Sequence, residues 1–270
     1  MNVSEVSQLA RAYWDEAAET YEQDFTSTLI GEMLRRQVWA RLSRAFLPGE
    51  NILELNCGTG IDARYLGEKA IHVVACDISA RMIDIARQSA EDSGFGSQVE
   101  FRVLATEELG CMKCDAPFDG AFSNFSGLNC VDDLQAVGRN LARLLRPGAR
   151  VVLVMLGRFV PWEVAWYLAH LDRSRALGRL LGKCEGVNKR APQVHYRSRR
   201  EIVTAFTPEF QLQSWEGVGI FLPPAYMEHW ARRYPRIAKF LNRADSFAGR
   251  LPIFRTMANF VLLQFQRCDA

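Results

Sequence analysis

The sequence has no run of about 18 uncharged apolar residues, the length a helix needs to cross a bilayer, so no transmembrane helix is expected. Its start, MNVSEVSQLARAYWDEAAETYEQDF, is polar and acidic and has no apolar core of a secretory leader. A cytoplasmic location is therefore expected, with the seven cysteines reduced. No repeat and no low-complexity tract is visible, which excludes a solenoid. Metal-ligand spacing is also missing. Cys111-x-x-Cys114 stands without a second pair or a histidine cluster, and no metal is expected. What remains is 270 residues, 49% apolar and 24% charged. That is enough apolar surface to offset chain entropy, so disorder is not the main feature.

The net charge of +2 conceals an asymmetry. Residues 1–156 carry 15 Lys+Arg against 22 Asp+Glu, whereas residues 157–270 carry 18 against 9. The second half could favour an anionic partner: an acidic substrate, a membrane surface or nucleic acid. A solvated basic surface is the competing reading.

Residues 5–46 have helical spacing through Leu29, Met33, Leu34, Val38, Leu42 and Phe46, and Pro48-Gly49 stops the pattern. Strands are expected at Ile52–Leu55, His72–Asp77, Val99–Val103, Phe118–Ser123 and Val151–Leu156, with helices at 61–70, 80–92 and 131–145 between them. Strands alternating with helices imply a parallel sheet covered on both faces, and right-handed crossovers make it doubly wound. Later, 201–206 and 226–248 read as helices, and 212–222 and 257–265 as strands. The expected division is an N-terminal helical cap (1–50), an α/β core (51–156), a lid insertion (157–200), and a sheet end (201–270) with a second helical insertion at about 223–253.

Chemistry concentrates in Ile52-Leu53-Glu54-Leu55-Asn56-Cys57-Gly58-Thr59-Gly60, a strand running into a glycine turn. Glycine lets a backbone approach a ligand closely. Asp77 follows Gly60 by 17 residues, at the end of the next strand, where an acid accepts both ribose hydroxyls of a nucleoside. Ala63 satisfies the looser dinucleotide spacing, but Glu54 argues against a pyrophosphate and for a cofactor with an ammonium group.

These residues resemble the motifs of the class I S-adenosylmethionine-dependent methyltransferases, in particular the Rossmann-like type 11/25 enzymes that act on small molecules. Glu54–Gly60 resembles the first motif and Val74–Ser79 the second. Phe118–Asn124 resembles the fourth-strand motif, and Leu144–Ala149 the turn before the fifth strand. The resemblance covers about residues 10–156. It implies a seven-stranded, mostly parallel sheet with a reversed final hairpin and a helical lid. It also implies S-adenosylmethionine as cofactor, released as S-adenosylhomocysteine. The expected cofactor residues are Glu54, Asn56, Cys57, Gly58 and Gly60 at the turn, then Asp77, Ile78 and Met82. Thr106, Glu107 and Asn124 complete the set, together with Tyr21 from the N-terminal helix, for which core packing is the competing reading. Two departures stand out. Asn56 replaces the first glycine, as a residue that tolerates the left-handed region. Ala105 stands where the family often has an acid for adenine, leaving Thr106 and backbone to hold that ring.

Methyl transfer from a sulfonium needs alignment and exclusion of water, and a hydroxyl acceptor gains from a general base. His195 and Asn129 are the catalytic candidates. His170 and His229 are weaker ones, His72 reads as structural, and Glu163 could pair with a lid arginine. Phe125, Asn129, Trp162, Trp166, Tyr196 and Phe221 are the expected acceptor pocket. Cys57 and Cys130 could border the cofactor, although a free cysteine is usually just a small buried residue. The expected function is methylation of a small hydrophobic or aromatic molecule, with oxygen favoured over carbon or nitrogen, by a monomer or homodimer. Nucleic acid is disfavoured because no N-P-P-Y-like motif follows the fourth strand, although Arg173–Arg200 carries nine cations and one acid. A lipid or quinone acceptor remains open, because Phe159–Leu181 mixes Trp with Arg and an amphipathic lid would make peripheral membrane contact. The other classes are a nicotinamide-dependent oxidoreductase and a non-catalytic cofactor-binding protein.

Overall fold

A computed structural model describes residues 3–182 and 191–269. Seven strands form one sheet: β1 Asn51–Leu55, β2 His72–Asp77, β3 Val99–Val103, β4 Phe118–Ser123, β5 Leu145–Leu156, β6 Phe210–Val218 and β7 Phe260–Arg267. Their order is β3-β2-β1-β4-β5-β7-β6, with β1 to β5 parallel and β7 antiparallel to both neighbours. The expected doubly wound sheet with a reversed final hairpin is therefore present. The order changes direction between β1 and β4, the switch point at which such sheets open a crevice for ligands.

Side-chain alternation along the strands makes two cores. Ile52, Val73, Ala75, Phe122 and Val152 face one side. There they pack under α2 (Leu29–Ala45), α3 (Ile61–Gly67) and α4 (Ala80–Asp92). Leu53, Leu55, Val74, Ala121 and Val151 face the other side. There they pack under α5 (Leu134–Leu144) and α8 (Arg199–Phe206). Leu134, Val137 and Leu141 of α5 are each buried, worth about 1.5–3 kcal/mol apiece.

Element boundaries differ from expectation where a side chain intervenes. The helix expected over 5–46 is two, α1 (Val3–Ala17) and α2, separated by a short π-turn. Thr28 starts α2 afresh by accepting a hydrogen bond from the Gly31 N–H at 2.9 Å. The helix expected over 226–248 is also two, α9 (Glu228–Arg233) and α10 (Pro235–Ala248), because Pro235 can begin a helix but not continue one. β5 starts early, at Leu145, which pairs with Phe118 before the bulge. β6 ends at Val218 instead of reaching Leu222. Gly219 turns the chain, and the N–H groups of Ile220, Phe221 and Leu222 are taken by the buried carboxylate of Asp245.

The 157–200 segment contains α6 (Pro161–Ala169) and α7 (Arg173–Gly178). Lys183, Glu185, Lys189 and Arg190 of its basic stretch lie outside the described residues. Among the described residues no helix is long and apolar enough to cross a membrane.

Candidate active site

A cavity of about 270 Å³ lies over the C-terminal ends of β1, β2 and β4. Its floor is the glycine turn. The chain leaves β1 through Asn56 (φ 56°), Gly58 (φ 54°) and Gly60 (φ 73°), all left-handed. Asn56 occupies the first-glycine position in the conformation expected of it. Its amide donates to Thr106 Oγ1 at 3.0 Å and accepts from Ser123 Oγ at 3.3 Å, tying β1 to the ends of β3 and β4. Gly58 opens toward the Tyr21 ring, 3.5 Å from where a Cβ would stand.

Asp77 stands in the wall at the end of β2. Its carboxylate accepts from the Gly58 N–H and the Ser79 N–H, each at 2.9 Å. Burial raises its pKa above the usual carboxylate value, and those backbone N–H groups work against the shift. Ile78, Met82, Thr106, Glu107 and Asn124 line the same cavity, as do Phe125 and Tyr196. Burial likewise raises the Tyr21 phenol and the Glu107 carboxyl.

Beneath this floor lies a buried ion pair not foreseen from sequence. Arg35 Nη1 meets Asp62 Oδ2 at 2.5 Å, with both side chains at least nine-tenths buried. Asp62 also accepts from Trp39 Nε1 at 2.6 Å and Asn124 Nδ2 at 2.8 Å. The Arg35 cation lies 5.0 Å from the Phe125 ring centroid, while its Nε has no partner. The available signal was a charge on the inward face of α2, among Met33, Leu34 and Val38.

Glu54 lies behind the turn rather than in the cavity wall. It is 1% exposed with one carboxylate oxygen unpartnered, and burial, then the nearby Asp62, push its pKa well up. Cys57 and Gly60 are also outside the wall. Gly60 packs so closely that a Cβ would fall 2.7 Å from the Phe101 ring.

The two catalytic candidates do not reach the cavity. Asn129 is fully buried, and its amide donates to the His195 carbonyl at 2.7 Å while accepting from the Leu156 N–H at 3.0 Å. His195 turns outward, with Nε2 2.7 Å from Asp132 Oδ1; its neighbours Val194 and Tyr196 line the cavity instead. Trp162, Trp166 and Phe221 are also elsewhere. Trp162 Nε1 donates to the Phe221 carbonyl at 2.8 Å, Trp166 packs on His170 and Tyr226, and Phe221 packs on Phe254. These aromatics join the two insertions to each other. Glu163 does pair with an arginine of the 157–200 segment, Arg179, at 2.8 Å.

The cavity's apolar wall comes instead from Tyr13 and Trp14 of α1, from Val131, and from Pro192 and Val194. The segment after β4 adds Phe125 (φ 42°) and Ser126 (φ 72°), consecutive side-chain-bearing residues in the left-handed region. Such backbone costs of order 1–3 kcal/mol per residue and persists only where its surroundings hold it. Here the Asn124 side chain accepts the Phe125 N–H at 2.9 Å, and the Val154 carbonyl accepts the Ser126 N–H at 3.1 Å. Cys130 also lines the cavity, its thiol pushed up to about 11 by burial and Glu107, so it is uncharged at neutral pH. Among the described residues no three His, Cys, Asp or Glu side chains group as a metal site.

Residues 52–148 match a family described as methyltransferase domain. The O-methyltransferase rstn1 of Aspergillus nomiae is 32% identical over 145 residues, 53% of this chain and 60% of that protein. The ubiquinone biosynthesis O-methyltransferase of Xylella fastidiosa is 34% identical over 115 residues, 43% of this chain and 45% of that one. The chain thus spans about half the length of the curated relatives it matches. The N-methyltransferase NodS from Bradyrhizobium japonicum, solved with S-adenosylhomocysteine, shares the fold with a TM-score of 0.54 at 13% identity, over 90% of each chain.

Proposed function

We propose that this chain, whose residues 52–148 match a methyltransferase domain, moves the methyl group of S-adenosylmethionine onto a small hydrophobic or aromatic acceptor, at oxygen. The observation that carries this reading is one cavity joining the Asp77 carboxylate, the open face of Gly58 and the Tyr21 ring above it. Asp77 would accept the ribose hydroxyls, Thr106 and Glu107 would border the adenine, and Tyr21 would cover the cofactor. S-adenosylmethionine supplies an activated methyl, so the protein's task is to align the acceptor and exclude water.

The acceptor would sit where Phe125, Val131, Pro192, Val194 and Tyr196 make an apolar wall interrupted by Ser126 and the Cys130 thiol. That composition suits a flat apolar molecule carrying one polar group. The oxygen preference is supported by two relatives named O-methyltransferases. With Cys130 uncharged and His195 turned away, this end of the cavity favours an acceptor hydroxyl acidic enough to ionise with little help, as a phenol does.

Calorimetric titration with S-adenosylhomocysteine, beside NADH, tests the cofactor. Micromolar binding is expected, lost in Asp77→Ala, after which methyl transfer from labelled cofactor to a panel of phenols tests the acceptor. Binding of NADH, or an Asp77→Ala variant indistinguishable from the parent, would overturn the reading.

A further inference from the structure

Helix α10 leaves most of its large apolar side chains outside. It turns Ala238, Ala248 and Asp245 into the protein and packs Leu241 on the core, while Phe240 is 69% exposed, Phe247 76% and Ile237 48%. Within α10, positions 237, 240, 244 and 247 fall on one side, and beyond its end Leu251 and Ile253 are also exposed. A single exposed apolar side chain is ordinary, but a continuous row is not.

Cations flank this row. Arg233, Arg236, Lys239 and Arg243 are exposed and make no ion pair among the described residues. Arg232 and Arg250, at its ends, reach Glu228 and Glu216. From His229 to Arg267 the chain has a single acid, Asp245. Asp245 is wholly buried, its carboxylate occupied by the backbone of Ile220, Phe221 and Leu222. Among the described residues, nothing along this row neutralises those four cations.

The charge decides the occupant. A second copy would bring a like-charged face against this one. Nucleic acid would use the cations, but it offers a polar, wet surface that gives Ile237, Leu251 and Ile253 nothing to bury against. An anionic bilayer takes both features: large apolar side chains enter the boundary between headgroups and acyl chains, and the cations meet lipid phosphates. We propose that α10 and the turn through Ile253 dock this protein on an anionic membrane surface.

Co-flotation of the full chain with vesicles tests this. The protein should float with phosphatidylcholine vesicles containing phosphatidylglycerol and stay behind with phosphatidylcholine alone. Phe240→Ser with Phe247→Ser should weaken binding by roughly tenfold or more for each ring withdrawn. Lys239→Glu with Arg243→Glu should weaken it at least about fivefold per cation and flatten its salt dependence. All four side chains are exposed, so unchanged thermal unfolding should accompany both variants. Absence from anionic vesicles at micromolar protein, or equal flotation of the phenylalanine variant, would overturn the proposal. So would a dimer abolished by that variant without lipid binding, or retention on RNA in place of vesicles.

Discussion

Gly58 and Gly60 lie two residues apart, both left-handed, yet they answer to different constraints. An alanine at 60 would drive its Cβ to 2.7 Å from Phe101 and 2.8 Å from Ala86, on top of the left-handed penalty. Gly60→Ala should therefore cost about 2–4 kcal/mol of stability, read by urea unfolding. Gly58→Ala meets only the Tyr21 ring at an ordinary 3.5 Å and should cost about 1 kcal/mol. It should nevertheless abolish S-adenosylhomocysteine binding in calorimetry, because the new methyl fills the space the ligand needs. Equal stability losses in the two variants would refute this division. The positions of Asn56, Gly58 and Asp77 could be read from sequence because a strand, a tight turn and the next strand's end are local features. The roles of Asn129 and His195 could not. Asn129 is consumed by Leu156 and His195, partners 27 and 66 residues away, and no spacing rule reports that. Arg35 and Asp62 are hidden for the same reason: Arg35 breaks the inward face of α2, but its partner stands 27 residues away on another helix.

Among the elements, periodicity placed every strand, and the errors lie at breaks and ends: Thr28 and Pro235 split two expected helices, and Asp245 takes the backbone that would have continued β6. Asp245 and Glu216 stand at one corner, where β6 meets α2 and α10, and they respond oppositely to pH. Burial pushes the Asp245 carboxyl up to about 6, despite three backbone N–H donors. A raised acid holds its proton more tightly in the folded chain, so its contribution is complete below about pH 4 and fades as pH rises through its folded value. Burial also pushes Glu216 up, but bonds from Arg41 at 2.7 and 2.9 Å, with Arg250 nearby, outweigh it and leave its pKa lowered. Its contribution is present above about pH 4.5 and is lost as pH falls. Unfolding measured across this range should show Asp245→Asn recovering up to about 3 kcal/mol relative to the parent between about pH 4 and 6. Glu216→Gln should remove part of the acid-side loss. A pH-independent difference in both variants would contradict the assignment.

At the scale of the whole molecule, the charge imbalance between the two halves of the chain falls on different features. The cavity is bordered by Asp77 and Glu107 from the acidic half, and the unpaired cations of α10 lie in the basic half. Composition distinguishes a lining aromatic of the insertions from a packing one only when the partner is known. Trp162 found its partner in a carbonyl 59 residues later.

Among the described residues, helix α1, which puts Tyr13 and Trp14 over the cavity, is fastened by little. Asp15 accepts from Ser79 Oγ at 2.6 Å and from the Arg81 N–H at 3.2 Å. Glu19 meets Arg81 at 2.6 Å with both side chains more than half exposed. An exposed pair of this kind is worth about 0.2–1 kcal/mol and weakens as salt is added. The clamp of Asn129 on His195 holds the opposite wall, so α1 is the wall expected to move when a nucleoside leaves. Its residence time then becomes a property of ionic strength: the dissociation rate should rise up to about fivefold from low to high salt in the parent. In Glu19→Gln, stopped-flow should find that rate already high and indifferent to salt.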